Sequence, residues 1–165
     1  MASDSHKRYT EASNSGITKE NVEKSEQRIN GTQENIPTRK RTVLVVDDNA
    51  DLLSLSKTIL EIDDYEVFTA LSGKEALSIL VEINKPDLIL LDMRMEDMSG
   101  PDFLLALEEK RPEIFECVPV VFLSGVDKVP ISKAAGFIRK PFEMDTFLAA
   151  VQRFIEIGTN RIRFN

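Results

Sequence analysis

The sequence predicts an α/β fold: a five-stranded parallel sheet, doubly wound, with helices covering both faces. Three observations carry that expectation. Short apolar runs without polar alternation, Thr42-Val43-Leu44-Val45-Val46 foremost, suit strands buried on two sides. Stretches of helical period lie between these runs, so strand and helix alternate along the chain. Each parallel connection must then cross over right-handedly and lay its helix on one face or the other.

Taken in order, Thr42 to Val46 is the first strand. Asn49 or a neighbouring Asp caps a helix whose apolar positions Leu52, Leu55, Ile59 and Leu60 follow a 3.6-residue period. Tyr65 to Ala70 is the second strand, and Ser72 with Glu75 forms a capping box for a helix that buries Ala76, Leu77, Leu80 and Val81. Pro86 introduces the third strand, Asp87 to Leu91. Pro101 suits the first turn of a helix running to about Lys110. Val118 to Leu123 is the fourth strand and Gly136 to Arg139 a short fifth. From Glu143 the spacing of Met144, Phe147, Leu148, Val151, Phe154 and Ile155 marks an amphipathic last helix, which Gly158 is expected to stop.

Residues 41–158 are thus the folded domain, with 159–165 a short tail and no output domain expected. Residues 1–40 are polar and too poor in apolar groups to offset their ordering entropy, which predicts a disordered tail, with a transient or partner-induced helix over Thr18 to Asn30. No run of about 18 apolar residues and no secretory signal is present, which points to a cytoplasmic protein without a membrane role. The net charge of -7 divides unevenly: residues 1–41 carry 8 Lys+Arg against 6 Asp+Glu, and residues 42–165 carry 13 against 22. An acidic domain repels a phosphate backbone, so direct nucleic-acid binding is not expected. Cys117 and His6 are the only residues of their kinds, which excludes an internal disulfide and argues against a thiolate metal cluster and histidine-based catalysis.

The chemistry gathers at the carboxyl ends of the strands, where doubly wound sheets place their functional groups. Asp47 and Asp48 follow the first strand, Asp92 the third, Ser124 the fourth and Lys140 the fifth. Singly, each has a plain reading: a helix cap, a loop start, a turn, a strand exit. Jointly they bring three carboxylates, a hydroxyl and an ammonium together. Clustered carboxylates repel unless a cation joins them, and all-oxygen ligation suits a hard ion such as Mg2+. A nucleophilic carboxylate in that setting is able to take a phosphoryl group as an acyl phosphate.

From Thr42 to about Ile157 the sequence resembles the receiver domain of two-component response regulators. The motifs are Val-Leu-Val-Val-Asp47-Asp48-Asn, Leu-Ile-Leu-Leu-Asp92-Met-Arg-Met, Gly100 eight residues after Asp92, Phe-Leu-Ser124-Gly, and Gly136-Phe137-Ile-Arg-Lys140-Pro141-Phe. The resemblance implies a flavodoxin-like fold of strand order 2-1-3-4-5 with about five helices. It implies that Asp92 accepts a phosphoryl group from a histidine kinase or histidine phosphotransfer protein. Asp48 would bind Mg2+ directly and Asp47 through water, Asp92 and the main-chain carbonyl of Arg94 completing the ligands. Ser124 and Lys140 would hold phosphoryl oxygens, the Lys140–Pro141 bond would be cis, and Ser124 with Phe137 would form a switch that presents a surface to a downstream target. No enzyme activity beyond self-phosphorylation and autodephosphorylation is implied.

Two departures stand out. Glu96 occupies the place where the family usually has proline, which predicts an added charge and a more flexible loop; Arg94 beside it either shields the site or points outward. Only fifteen residues separate Ser124 from Lys140, and Pro130 lies among them, so the fourth helix, over 126–135, is expected to be short or irregular and a family-type dimer through 126–137 weakened. The alternative function is a degenerate receiver acting as a constitutive interaction module. An aspartyl-phosphate hydrolase ranks lower, because Arg94 stands where an acid–base carboxylate would be needed.

Overall fold

A computed structural model describes residues 39–83, 85–125 and 132–163, with side chains as far as Thr159. The expectations for the N-terminal tail, for its helix over Thr18 to Asn30 and for most of the 126–135 helix lie outside the described residues. Of that last segment, residues 132–135 are described and are not helical.

The elements run β1 (Thr42–Val46), α1 (Ala50–Ile62), β2 (Glu66–Ala70), α2 (Gly73–Glu82), β3 (Leu88–Asp92), α3 (Gly100–Lys110), α4 (Pro112–Cys117), β4 (Val120–Ser124), β5 (Gly136–Arg139) and α5 (Met144–Arg163). The five strands form one parallel sheet in the order β2-β1-β3-β4-β5, the order that the family resemblance implies. Strand order reverses between β1 and β3, so their carboxyl ends flank a crevice.

The unbroken apolar runs follow from burial on both faces. Leu44 and Val46, Ile89 and Leu91, and Val120 and Phe122 pack with Ala76 and Leu80 of α2, Phe103 and Leu107 of α3 and Ile114 of α4. The alternate residues, Val43 and Val45, Leu88 and Leu90, and Val121 and Leu123, pack with Leu53 and Leu60 of α1 and Phe147, Val151 and Ile155 of α5. Side chains of successive strand residues point to opposite faces, so each run must be apolar at every position.

Several helix details differ from the expectation. In α1 the buried stripe is Leu53, Ser56, Ile59 and Leu60, while Leu55 is half exposed. The small Ser56, not Leu55, lies where the helix meets the sheet. Val81 of α2 and Met144 of α5 also face solvent, although both fit the apolar period. Helix α4 was not expected: Pro112, whose missing N–H is no loss in a first turn, opens a new short helix. Gly158 does not stop α5, which continues to Arg163. A Cβ on Gly158 would lie 2.7 Å from Cδ of Pro119, so the glycine serves close packing rather than termination.

Candidate functional site

Main-chain bonds extend the ladder just past the strands and fix where the site residues emerge. The N–H of Asp47 donates to the Ala70 carbonyl (3.1 Å), that of Met93 to Leu123 (3.1 Å) and that of Lys140 to Ser124 (2.7 Å). Asp47, Asp92 and Ser124 are buried, Lys140 is partly buried and Asp48 is exposed. The structure therefore brings all five strand-end residues to one edge of the sheet. Gly100 permits this approach. Its N–H donates to the Met93 carbonyl (3.1 Å), and a Cβ there would stand 2.7 Å from the Phe122 ring and 3.0 Å from the Asp92 carbonyl oxygen.

Carboxylate oxygens of Asp47, Asp48 and Asp92 lie within 4.8 Å of one another. Lys140 Nζ joins two of them, donating to Asp47 Oδ2 at 2.5 Å and to Asp92 Oδ1 at 2.7 Å. The ammonium offsets the repulsion between two buried anions that would otherwise be costly. Each carboxylate is also oriented by a main-chain donor. The Asn49 N–H donates to Asp47 Oδ1 (2.9 Å), the Arg94 N–H to Asp92 Oδ2 (3.0 Å) and the Glu96 N–H to Asp48 Oδ2 (3.1 Å). An all-oxygen donor set of this kind fits a hard divalent cation.

The remaining expected residues fall around this cluster. The Lys140–Pro141 bond is cis, as the resemblance implies. Phe137 on β5 is 46% exposed, and the side chains of Arg94 and Glu96 are exposed. The loop after β3 is better anchored than the substitution of Glu96 for proline suggested. Besides the Glu96 N–H on Asp48, the Asp97 carboxylate accepts from the N–H groups of Gly73 and Lys74, each at 3.2 Å.

Three contacts were not legible in the sequence: Asn49 holding Asp47 as well as capping α1, Glu96 acting through its main chain, and Asp97 capping a helix from another segment. Asn49 carried a signal, since a cap at that place was expected. Asp97 carried none, because its partners lie 24 and 23 residues away.

With this geometry in view, the comparisons with known proteins are direct. Residues 43–152 match the response regulator receiver domain, and the chain belongs to that family. It is 35% identical over 123 residues to the transcriptional regulatory protein KdpE of Mycobacterium tuberculosis, an alignment covering 71% of this chain and 52% of that protein. It is 29% identical over 124 residues to sporulation initiation phosphotransferase F of Bacillus subtilis, covering 72% of this chain and 96% of that one. The chain therefore spans about half the length of the first relative and nearly all of the second. Among solved structures it resembles the chemotaxis response regulator CheY4 of Vibrio cholerae, with a TM-score of 0.63 at 28% identity, covering 70% of this chain and 98% of that one. The fold is thus the flavodoxin-like fold of two-component receivers. Among the described residues, no helix is long and apolar enough to cross a membrane.

Proposed function

We propose that this chain is a phosphorylation-controlled signalling module of a two-component or phosphorelay pathway, with Asp92 as phosphoacceptor. The observation that carries the reading is Lys140 Nζ set between Asp47 and Asp92 within a three-carboxylate cluster. The donor is a phosphohistidine on a histidine kinase or histidine phosphotransfer protein. An Asp92 carboxylate oxygen attacks phosphorus, the new P–O bond forms as the P–N bond breaks, and the imidazole nitrogen leaves with the electron pair and takes a proton from water. The product is an acyl phosphate on Asp92.

Asp47, Asp48, Asp92 and the main-chain carbonyl of Arg94 would hold Mg2+, which when bound supplies positive charge against the phosphoryl oxygens. Lys140, already beside Asp92, contributes a second positive charge to the same oxygens. Ser124 donates a hydrogen bond to one of them. Its movement toward the phosphoryl group frees space into which Phe137, exposed before phosphorylation, turns inward, and the surface around β4 and β5 then differs between the two states. A downstream target reads that difference.

The relative covered over nearly its whole length is named a phosphotransferase, which supports passage of the phosphoryl group onward. The test is transfer from a radiolabelled phosphohistidine protein. Label is expected on the wild type with Mg2+ present, and chelation should abolish it. Equal labelling of Asp92→Asn would refute the assignment, and a failure to label with any of several donors would favour a constitutive interaction module.

A further inference from the structure

Asp97 lies outside the acidic cluster but beside the residue that touches it. The first turn of α2 leaves the N–H groups of Gly73, Lys74 and Glu75 without partners inside the helix. Ser72 Oγ accepts from Glu75 (3.1 Å), and the Asp97 carboxylate accepts from the other two through Oδ1 and Oδ2. A carboxylate is well suited to that place, because the helix dipole leaves its N-terminus positive. The next residue packs against the same turn: Met98 Sδ lies 2.7 Å from where a Cβ on Gly73 would be, so the glycine leaves room for that side chain.

One residue before Asp97, the Glu96 N–H donates to Asp48 Oδ2. Asp48 needs that contact more than its neighbours do. Asp47 and Asp92 are buried and each also meets Lys140, whereas Asp48 is exposed and, among the described residues, is oriented by the Glu96 N–H. A proline at position 96 would have no N–H to give. The contact with Asp48 therefore depends on a residue other than proline standing at position 96.

We propose that Asp97 is a positioning residue for the cation site: by tying the loop after β3 to the first turn of α2, it holds the Glu96 N–H against Asp48 and so presents that carboxylate to Mg2+. The inference rests on the Mg2+-dependent reading of the site given above. It extends the site to a residue that makes no contact with the ion.

The test compares Mg2+ affinity, from the Mg2+-dependent rise in unfolding temperature, for the full-length wild type, Asp97→Ala, Asp97→Asn and Glu109→Gln. Glu109 is an exposed carboxylate near the far end of α3 and controls for charge alone. Asp97→Ala should weaken Mg2+ binding about fivefold, the scale of one lost orienting hydrogen bond, and should shift the Glu96 amide proton resonance upfield. Asp97→Asn keeps one acceptor oxygen and should recover part of both effects, while Glu109→Gln should match the wild type. Equal losses in the Ala and Asn variants would reduce the effect to charge and overturn the proposal, as would an unmoved Glu96 resonance. Should Asp97→Ala not fold, Glu96→Pro against Glu96→Gln isolates the same N–H, and equal affinities would overturn it too. A wild type with no Mg2+ response sinks the underlying reading, whereas a responsive wild type matched by every variant sinks only this inference.

Discussion

Lys140 carries the electrostatics of the site. Its side chain is only 16% exposed, its ammonium stands between two buried carboxylates, and removing it leaves like charges facing each other with little solvent screening. Lys140→Ala should lower stability without Mg2+ by about 2 kcal/mol, less than the loss for a fully buried broken pair. It should also tighten Mg2+ binding, because the ion no longer competes with a cation for the same oxygens, yet slow phosphoryl acceptance. Urea unfolding with and without Mg2+ checks the first two effects. A variant whose Mg2+ affinity falls would contradict this account of the ammonium. A second residue makes a pH prediction. Burial pushes the Tyr65 phenol above its usual range, and the Asp63 carboxylate adds to the effect. The folded state then holds that proton more tightly than the unfolded state. Its stabilising contribution is complete below a free tyrosine's pKa, about 10, and is lost as pH rises through the higher folded value. Stability should therefore fall as pH rises above about 10, and Tyr65→Phe should remove that part of the slope in urea titrations.

At the scale of elements, what the sequence disclosed depended on whether the deciding contact was local. Strands β1, β3 and β4 were legible because burial on both faces forces every position to be apolar. Asp47, Asp92 and Ser124 were legible because each directly follows such a run, and Asp48 and Lys140 because they stand next to Asp47 and at the end of β5. The facing of α1 was not, since Leu52, Leu53 and Leu55 are equally apolar and only the sheet beneath selects Leu53 and Ser56. Gly158 misled for a related reason: glycine ends a helix only where the chain turns, and here Pro119 packs against a helix that goes on. Gly158→Ala should gain about 1 kcal/mol of helix propensity and lose about 1–3 kcal/mol to the clash with Pro119. Thermal unfolding should show net destabilisation; a stabilised variant would mean that the contact between α5 and Pro119 yields easily.

For the whole molecule, one sheet performs two tasks. Its alternating faces hold the two halves of the core, and its carboxyl edge gathers groups that are far apart in sequence, from Asp47 to Lys140. Tying the site to the ladder through Asp92, Ser124 and Lys140 places the proposed acceptor on paired strands, while Phe137, the proposed switch residue, lies on the edge strand β5. Asp92 is the single proposed acceptor within this arrangement. The most direct test of that role is intact mass after incubation with Mg2+ and a small acyl phosphate, for the wild type and for Asp92→Asn. The wild type should gain one phosphoryl group and Asp92→Asn none; an unmodified wild type, or a modified Asp92→Asn, would contradict it.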